Sequence, residues 1–233
     1  NKPLVFGTGG DGAERMRIDS SGNVGIGVSN PSAFDTWQRQ LVVGSGSADA
    51  GITIYHGSGG GNQGAISFAD GNTGTDRYRG VISYNGADEM KFLTAATERM
   101  RIDSSGNLLV GKTSLGIGVT GTEVRANGQL LVTADADNPA DFNRKTSDGT
   151  IINFRKDSTS VGSIGAKGGT AYLIGSNKGL RVSGSGLIPI TTGGANSDAT
   201  YDLGDPAVHF KDLYLSGYAY VGALKTNASI ESL

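Results

Sequence analysis

The stretch ERMRIDSSGNVGIG at residues 14–27 returns 84 positions later as ERMRIDSSGNLLVG at residues 98–111, with 11 of the 14 positions identical. The three changes are Val24 to Leu108, Gly25 to Leu109 and Ile26 to Val110. Enzymes rarely duplicate an active-site peptide inside one small chain, whereas fibres and solenoids reuse a structural unit because each unit needs neighbours to bury its apolar face. The duplication therefore points to architecture before chemistry. Inside each copy the dominant period is two. Met16 and Ile18 alternate with Arg15, Arg17 and Asp19, the SSGN tetrad supplies turn chemistry, and Val24, Ile26 and Val28 alternate with Gly25 and Gly27. The second copy repeats this with Met100 and Ile102, a turn at 104–107, and Leu108 and Val110. Each copy has an upstream strand as well: LVF at 4–6 before the loop GTGGDGA, and MKFL at 90–93 before TAAT.

The same grammar runs along the chain in GITIYH (51–56), GAISFAD (64–70), YRGVISYNG (78–86), a weaker echo EVRANGQLLV (123–132), GTIINFRKD (149–157), VGSIGAKGGTAYLIG (161–175), GLRVSG (179–184) and DLYLSGYAYVGAL (212–224). Nearly every intervening turn carries Gly, Asn, Asp or Ser, each relieving a specific backbone constraint. The best helix signal is SNPSAFDTWQRQL, where Ser29 or Asn30 would cap and Pro31 would sit in the first turn, giving two turns of helix or a simple bend.

Of 233 residues 39 are Gly and only 7% are aromatic, which argues against one large core. The glycines have no three-residue period, so collagen is excluded, and the regular apolar alternation excludes a disordered linker. A net charge of −2 gives no electrostatic reason to expect nucleic acid or an anionic membrane as partner. The absence of Cys removes disulfides and thiolate chemistry. No apolar run is long enough for a membrane-spanning helix, and no membrane insertion is expected. The start at Asn1 without Met reads as a fragment or a processed product. An isolated hairpin is marginal in water, so a chain of such hairpins is expected to close its apolar faces against other copies.

Several stretches imitate catalytic motifs. GNLLVGKT at 106–113 has the letters of a P-loop, but Leu108, Leu109 and Val110 read as a strand, and the sister copy lacks the Lys. GTGGDG at 7–12 and GGGNQG at 59–64 match dinucleotide-binding letters without opening a helix, and both read as loops. His56 and His209 lack a second ligand at metal-binding spacing. Asp135, Asp137, Asn138 and Asp141 cluster oxygen donors but lack the Gly and Glu of an EF-hand loop, and read as a solvated acidic turn. No cofactor and no metal is expected.

The pieces ERMRIDSSGNVGIG, GAISFADGNTGTDRYRGVISYNGADEMKFLTAATERMRIDSSGNLLVG, GTIINFRKDSTSVGSIGA and YDLGDPAVHFKDLYLSG resemble the modular repeats of phage tail fibre proteins and related tail spikes, over more than half the chain. The resemblance implies an all-β, elongated, intertwined homotrimer of short β-hairpin, β-prism or β-helical modules with little or no α-helix. It implies a place in the virion tail, outside the cell, next to other tail or baseplate proteins. There it would attach the particle to a bacterial surface polysaccharide or an outer-membrane receptor. Such fibres often end in a chaperone domain that is cut off. None is recognisable here, so it was removed after Leu233 or lies beyond the sequence. The modules divide at 1–30 and 31–115 for the shaft, 116–185 for a third β module and 186–233 for a distal module.

Sugars favour aromatic faces flanked by hydrogen-bonding groups. The aromatics not readily assigned to a strand interior are Trp37, Tyr78, Tyr201, Tyr214, Tyr218 and Tyr220. In a regular strand Tyr214, Tyr218 and Tyr220 share a face, opposite Leu213, Leu215 and Val221, although Gly217 can bulge and swap faces. Two readings of these tyrosines stay open, packing between chains and binding a receptor, and Trp37, Tyr201, Tyr214, Tyr218 and Tyr220 are the receptor-binding candidates. An enzymatic tail spike would need two carboxyls across one sugar bond, for which Asp70, Asp76, Asp88 and Glu89 are candidates. The short modules favour a non-enzymatic fibre over that depolymerase. A fibre of a contractile injection device, a bacterial trimeric surface adhesin and a ligand-free spacer remain as alternatives.

Overall fold

The computed structural model describes residues 2–10, 12–59, 61–184, 186–198, 202–203, 207, 210–212 and 214–217. Among them the protein is all-β, with no α-helix, and it divides into two compact units, Asn1–Pro139 and Ala140–Leu233. The first unit holds two open sheets and the second holds one.

The first sheet contains β1 (Leu4–Gly7), β2 (Glu14–Ile18), β3 (Val24–Ile26) and β4 (Leu41–Val43), in that order. The first three form an antiparallel meander, whereas β4 lies parallel to β3. A parallel pair needs a long crossover, and residues 27–40 supply it. The helix signal in this crossover resolves into a single 3-10 turn, Pro31–Ala33. Asn30 makes no side-chain cap, and Phe34 is already extended at φ −84°, ψ 169°. A short helix is marginal unless its apolar stripe packs, and here both Phe34 and Trp37 are exposed.

The second sheet is an unbroken antiparallel meander of β5 (Gln63–Phe68), β6 (Gly80–Asn85), β7 (Met90–Thr94), β8 (Thr97–Ile102), β9 (Leu108–Val110), β10 (Gly121–Val124) and β11 (Leu130–Thr133). A second 3-10 turn, Gly74–Tyr78, joins β5 to β6. The third sheet, in the second unit, is the meander β12 (Gly149–Lys156), β13 (Thr159–Lys167), β14 (Thr170–Ile174), β15 (Lys178–Ser183) and β16 (Gly186–Thr191).

One hairpin turn recurs through both units. In the first copy the Asp19 carbonyl accepts from the Gly22 amide, and the Asp19 amide donates to the Asn23 carbonyl. The same pair of bonds joins Asn85 to Asp88 and Glu89, Asp103 to Gly106 and Asn107, Arg125 to Gly128 and Gln129, and Thr191 to Gly194 and Ala195. This is a type I turn followed by a left-handed residue. That residue has φ of 86°, 81°, 87° and 75° at Gly22, Gly106, Gly128 and Gly194, and 59° at Asp88. Asp19 and Asp103 reinforce their turns alike, accepting from the amides of Ser21 and Asn23, and of Ser105 and Asn107.

The duplicated hairpins also share their register. Met16, Arg17 and Ile18 face Ile26, Gly25 and Val24, as Met100, Arg101 and Ile102 face Val110, Leu109 and Leu108. Both break register against the upstream strand at the same point, between Phe6 and Gly7 and between Phe92 and Leu93. The extra residue is Arg15 or Arg99, whose carbonyl accepts from Gly27 or Gly111.

Candidate functional site

Cross-strand register assigns the two faces of each sheet. In the second sheet one row runs Tyr84, Met90, Ile102, Leu108, Val124, Leu130. The next row on the same face runs Ile66, Ile82, Phe92, Met100, Val110, Thr122, Val132. Thirteen positions hold twelve apolar or aromatic side chains, and none of them is buried. The first sheet has the matching face in miniature: Leu4, Ile18, Val24, Leu41 in one row and Phe6, Met16, Ile26, Val43 in the other, again with none buried. In the third sheet the open face carries Ile152, Ile164, Leu173, Leu180 and Pro189 in one row, with Val182 opposite Leu187 beside it. Leu173, Leu180, Leu187, Pro189 and Leu203 there line an apolar groove of about 500 Å³. Its opposite face is the packed one, where Tyr172, Ile174 and Ile190 are buried together with Ile188 against them.

The charged residues of the second sheet lie on the other face, in the row Ala65, Ser83, Lys91, Arg101, Leu109, Glu123, Leu131. The bulge at Arg99 explains one pair. It places Glu98 and Arg101, three residues apart, on the same face, where the guanidinium grips the carboxylate with two hydrogen bonds. Arg101 also donates to Glu89, which Lys91 holds at 2.8 Å. The Lys91 ammonium, then the Asn85 amide, keep the Glu89 carboxyl below its usual range, and the Glu98 carboxylate raises Arg101. Glu14 and Arg17 repeat the grip in the first sheet.

Glu123 is fully enclosed, at 0% exposure. Its Oε2 accepts from Lys112 Nζ at 2.7 Å and from the Gly116 amide at 3.0 Å, while Oε1 accepts from Arg125 Nε at 2.7 Å. Lys112 Nζ also donates to the Gly116 carbonyl at 2.8 Å. The Lys112 ammonium above all pulls the Glu123 carboxyl down to about 2. A buried ion pair is tolerated when its hydrogen bonds are complete, and here they tie the 112–116 loop to β10. Lys112, the lysine of the P-loop-like letters, is thus consumed in a structural pair.

The aromatic candidates separate. Trp37 is 74% exposed in the first unit. Tyr214 is 89% exposed in the second, its hydroxyl 3.5 Å from Asp212. Tyr201, Tyr218 and Tyr220 lie outside the described residues, as do His209, Leu213 and residues 218–224 of the expected last strand. Tyr78 closes the Gly74–Tyr78 turn and lines a shallow hollow with Val81 and Leu93. Among the carboxylates, Asp70 pairs with Arg79, Asp88 accepts from the Tyr84 hydroxyl, and Glu89 is held ionised, opposite to the raised pKa of a general acid. Among the described residues no group of three or more His, Cys, Asp or Glu could hold a metal ion. No helix among them is long and apolar enough to cross a membrane.

The alternation that makes one face apolar was legible in the sequence; the bulge at Arg15 and Arg99 was not. Once the bulge residue is skipped, alternation puts Met100, Ile102, Leu108 and Val110 on one side, and Leu109 on the other with Arg101 and Glu123. Comparison with protein-family models, with curated proteins and with solved structures found no match.

Proposed function

We propose that this chain is a structural and receptor-binding segment of a phage tail fibre, a non-enzymatic homotrimer of β-rich modules. It would attach the particle to a bacterial surface polysaccharide or outer-membrane receptor. The observation that carries the reading is the inversion of the sheets: charged side chains are gripped within the chain while continuous apolar faces are left to solvent. A chain built to work alone would bury those faces. Copies of the chain, meeting through their apolar faces, supply the missing partner. The number three, the virion and the receptor rest on the resemblance of the repeats.

Light scattering on the purified chain tests the assembly, with a mass of three chains expected. A monodisperse monomer refutes the fibre. Binding of the labelled oligomer to a panel of bacterial cells and their purified surface glycans tests attachment. Saturable binding weakened by Trp37→Ala or Tyr214→Ala in a protein of unchanged mass is the expected result. An oligomer that binds nothing in the panel refutes attachment through this segment and leaves a spacer.

A further inference from the structure

Residues 51–56, GITIYH, have the composition of a strand, with β-branched and aromatic side chains in alternation. Ile52, Ile54 and His56 line one hollow of about 240 Å³ together with Gly64, Ile66, Ile82, Tyr84 and Met90. The His56 ring meets the Tyr84 ring edge-on, with centroids 5.9 Å apart. Tyr55, between Ile54 and His56, is 96% exposed. Alternate residues facing one side is the geometry of a strand, and this one lies on the apolar face of the second sheet.

Yet it pairs with nothing. Among the described residues no main-chain N–H or C=O of residues 51–56 makes a hydrogen bond, while β1–β16 all pair. The segment cannot extend its own sheet. Ile54 and His56 lie against Gly64 at the start of β5, so the chain folds over the face of that strand and does not run along its edge. A lone strand with both edges open is not self-sustaining in water, and it is a ready template for a strand from another chain.

We propose that residues 51–56 are a strand whose partner is a strand of a second copy of this chain, so that copies are joined by main-chain hydrogen bonds as well as by apolar faces. The inference rests on the oligomer argued above. Two observations select a second copy over another partner. The open segment lies on the apolar face that copies must cover. The outward side chains Thr53 and Tyr55 are uncharged, and the segment carries no Lys, Arg, Asp or Glu to recruit a charged partner.

The test is amide hydrogen exchange by mass spectrometry on the whole chain, with mass measured on the same sample, before and after dilution. Slow exchange across 51–57 in the oligomer, lost when the mass falls to one chain, is expected. Successive amides point to opposite edges of a strand, so Ile52→Pro and Thr53→Pro remove donors from different edges. One of the two should weaken assembly while the other leaves it intact. A multi-chain mass with 51–57 exchanging at the free-peptide rate overturns the strand pairing and spares the fibre. Assembly unaffected by either proline also overturns it. A monomer overturns both, and protection in a monomer places the partner within the chain.

Discussion

Gly25 and Leu109 occupy the same place in the two copies, and opposite substitutions there should both be harmful. Leu109 is 1% exposed, in the cross-strand row between Arg101 and Glu123. Leu109→Ala removes three carbons worth about 0.8 kcal/mol each in transfer, and the cavity left behind raises the total to about 2–5 kcal/mol. Gly25 is also buried, but for another reason. A Cβ there would run into the Val28 carbonyl oxygen, with Val28 Cγ1 at 3.1 Å and Pro31 Cδ at 3.4 Å. The crossover to β4 therefore occupies the space that a side chain fills in the second copy. Gly25→Ala adds one carbon against backbone, an overpacking cost of about 1–3 kcal/mol; in open space the same change would stabilise by about 0.4–1 kcal/mol. Urea unfolding at one fixed chain concentration reads both. With a slope of about 1–3 kcal/mol per M, Leu109→Ala should lower the midpoint by about 1 M or more, and Gly25→Ala by a smaller but clear step. A rise in midpoint for Gly25→Ala, or no change for Leu109→Ala, would refute the packing described for the two copies.

Acid should act through the depressed carboxylates. Glu123 falls from 4.5 to about 2, and Glu89, Asp19 and Asp103 are lowered as well. Because the folded values lie below the unfolded ones, their stabilisation is complete above the unfolded value and disappears as pH falls through the folded one. The urea midpoint should therefore be flat down to about pH 5 and drop towards pH 2, and Glu123→Gln should flatten the drop while lowering the midpoint at neutral pH. Gly106→Ala places a side chain at φ 81° and should cost about 1–2 kcal/mol, read by the same unfolding curve. Gly165→Ala would drive a carbon into the Tyr172 ring and the Gly149 carbonyl, so it should lower stability by about 1–3 kcal/mol and alter the near-UV circular dichroism of Tyr172.

Strands and turns were legible because alternation and turn residues are local. SSGN, ANGQ and NGAD all mark the same turn, and in each the left-handed position follows from its place in the loop. The capping signals at Ser29, Asn30 and Pro31 left a short helix or a bend open, and the chain takes the single 3-10 turn because nothing packs on a longer stripe. The parallel pairing of β3 with β4 had no local signal. Neither did the Lys112–Glu123 pair, which joins residues 11 apart through a loop. The receptor candidates were aromatics left outside strand interiors; the fold assigns Trp37 and Tyr214 to different units.

The duplication itself now has a physical reason. Four of its constant positions are set by the hairpin: Asp and Asn close the turn, and two glycines take positive φ, 86° and 75° in the first copy, 81° and 71° in the second. Two more, Glu and Arg, clasp each other across the bulge on one face. Met and Ile stay apolar on the other face, where nothing within the single chain touches them closely enough to bury them. An isolated hairpin would be free to trade those two for polar residues at no loss to its own packing. Their retention in both copies, in the same register and on the same side, is what a surface met by another chain requires, and burial of Met16, Ile18, Met100 and Ile102 on assembly should appear as slowed exchange of the β2 and β8 amides in the same experiment that reports on residues 51–57.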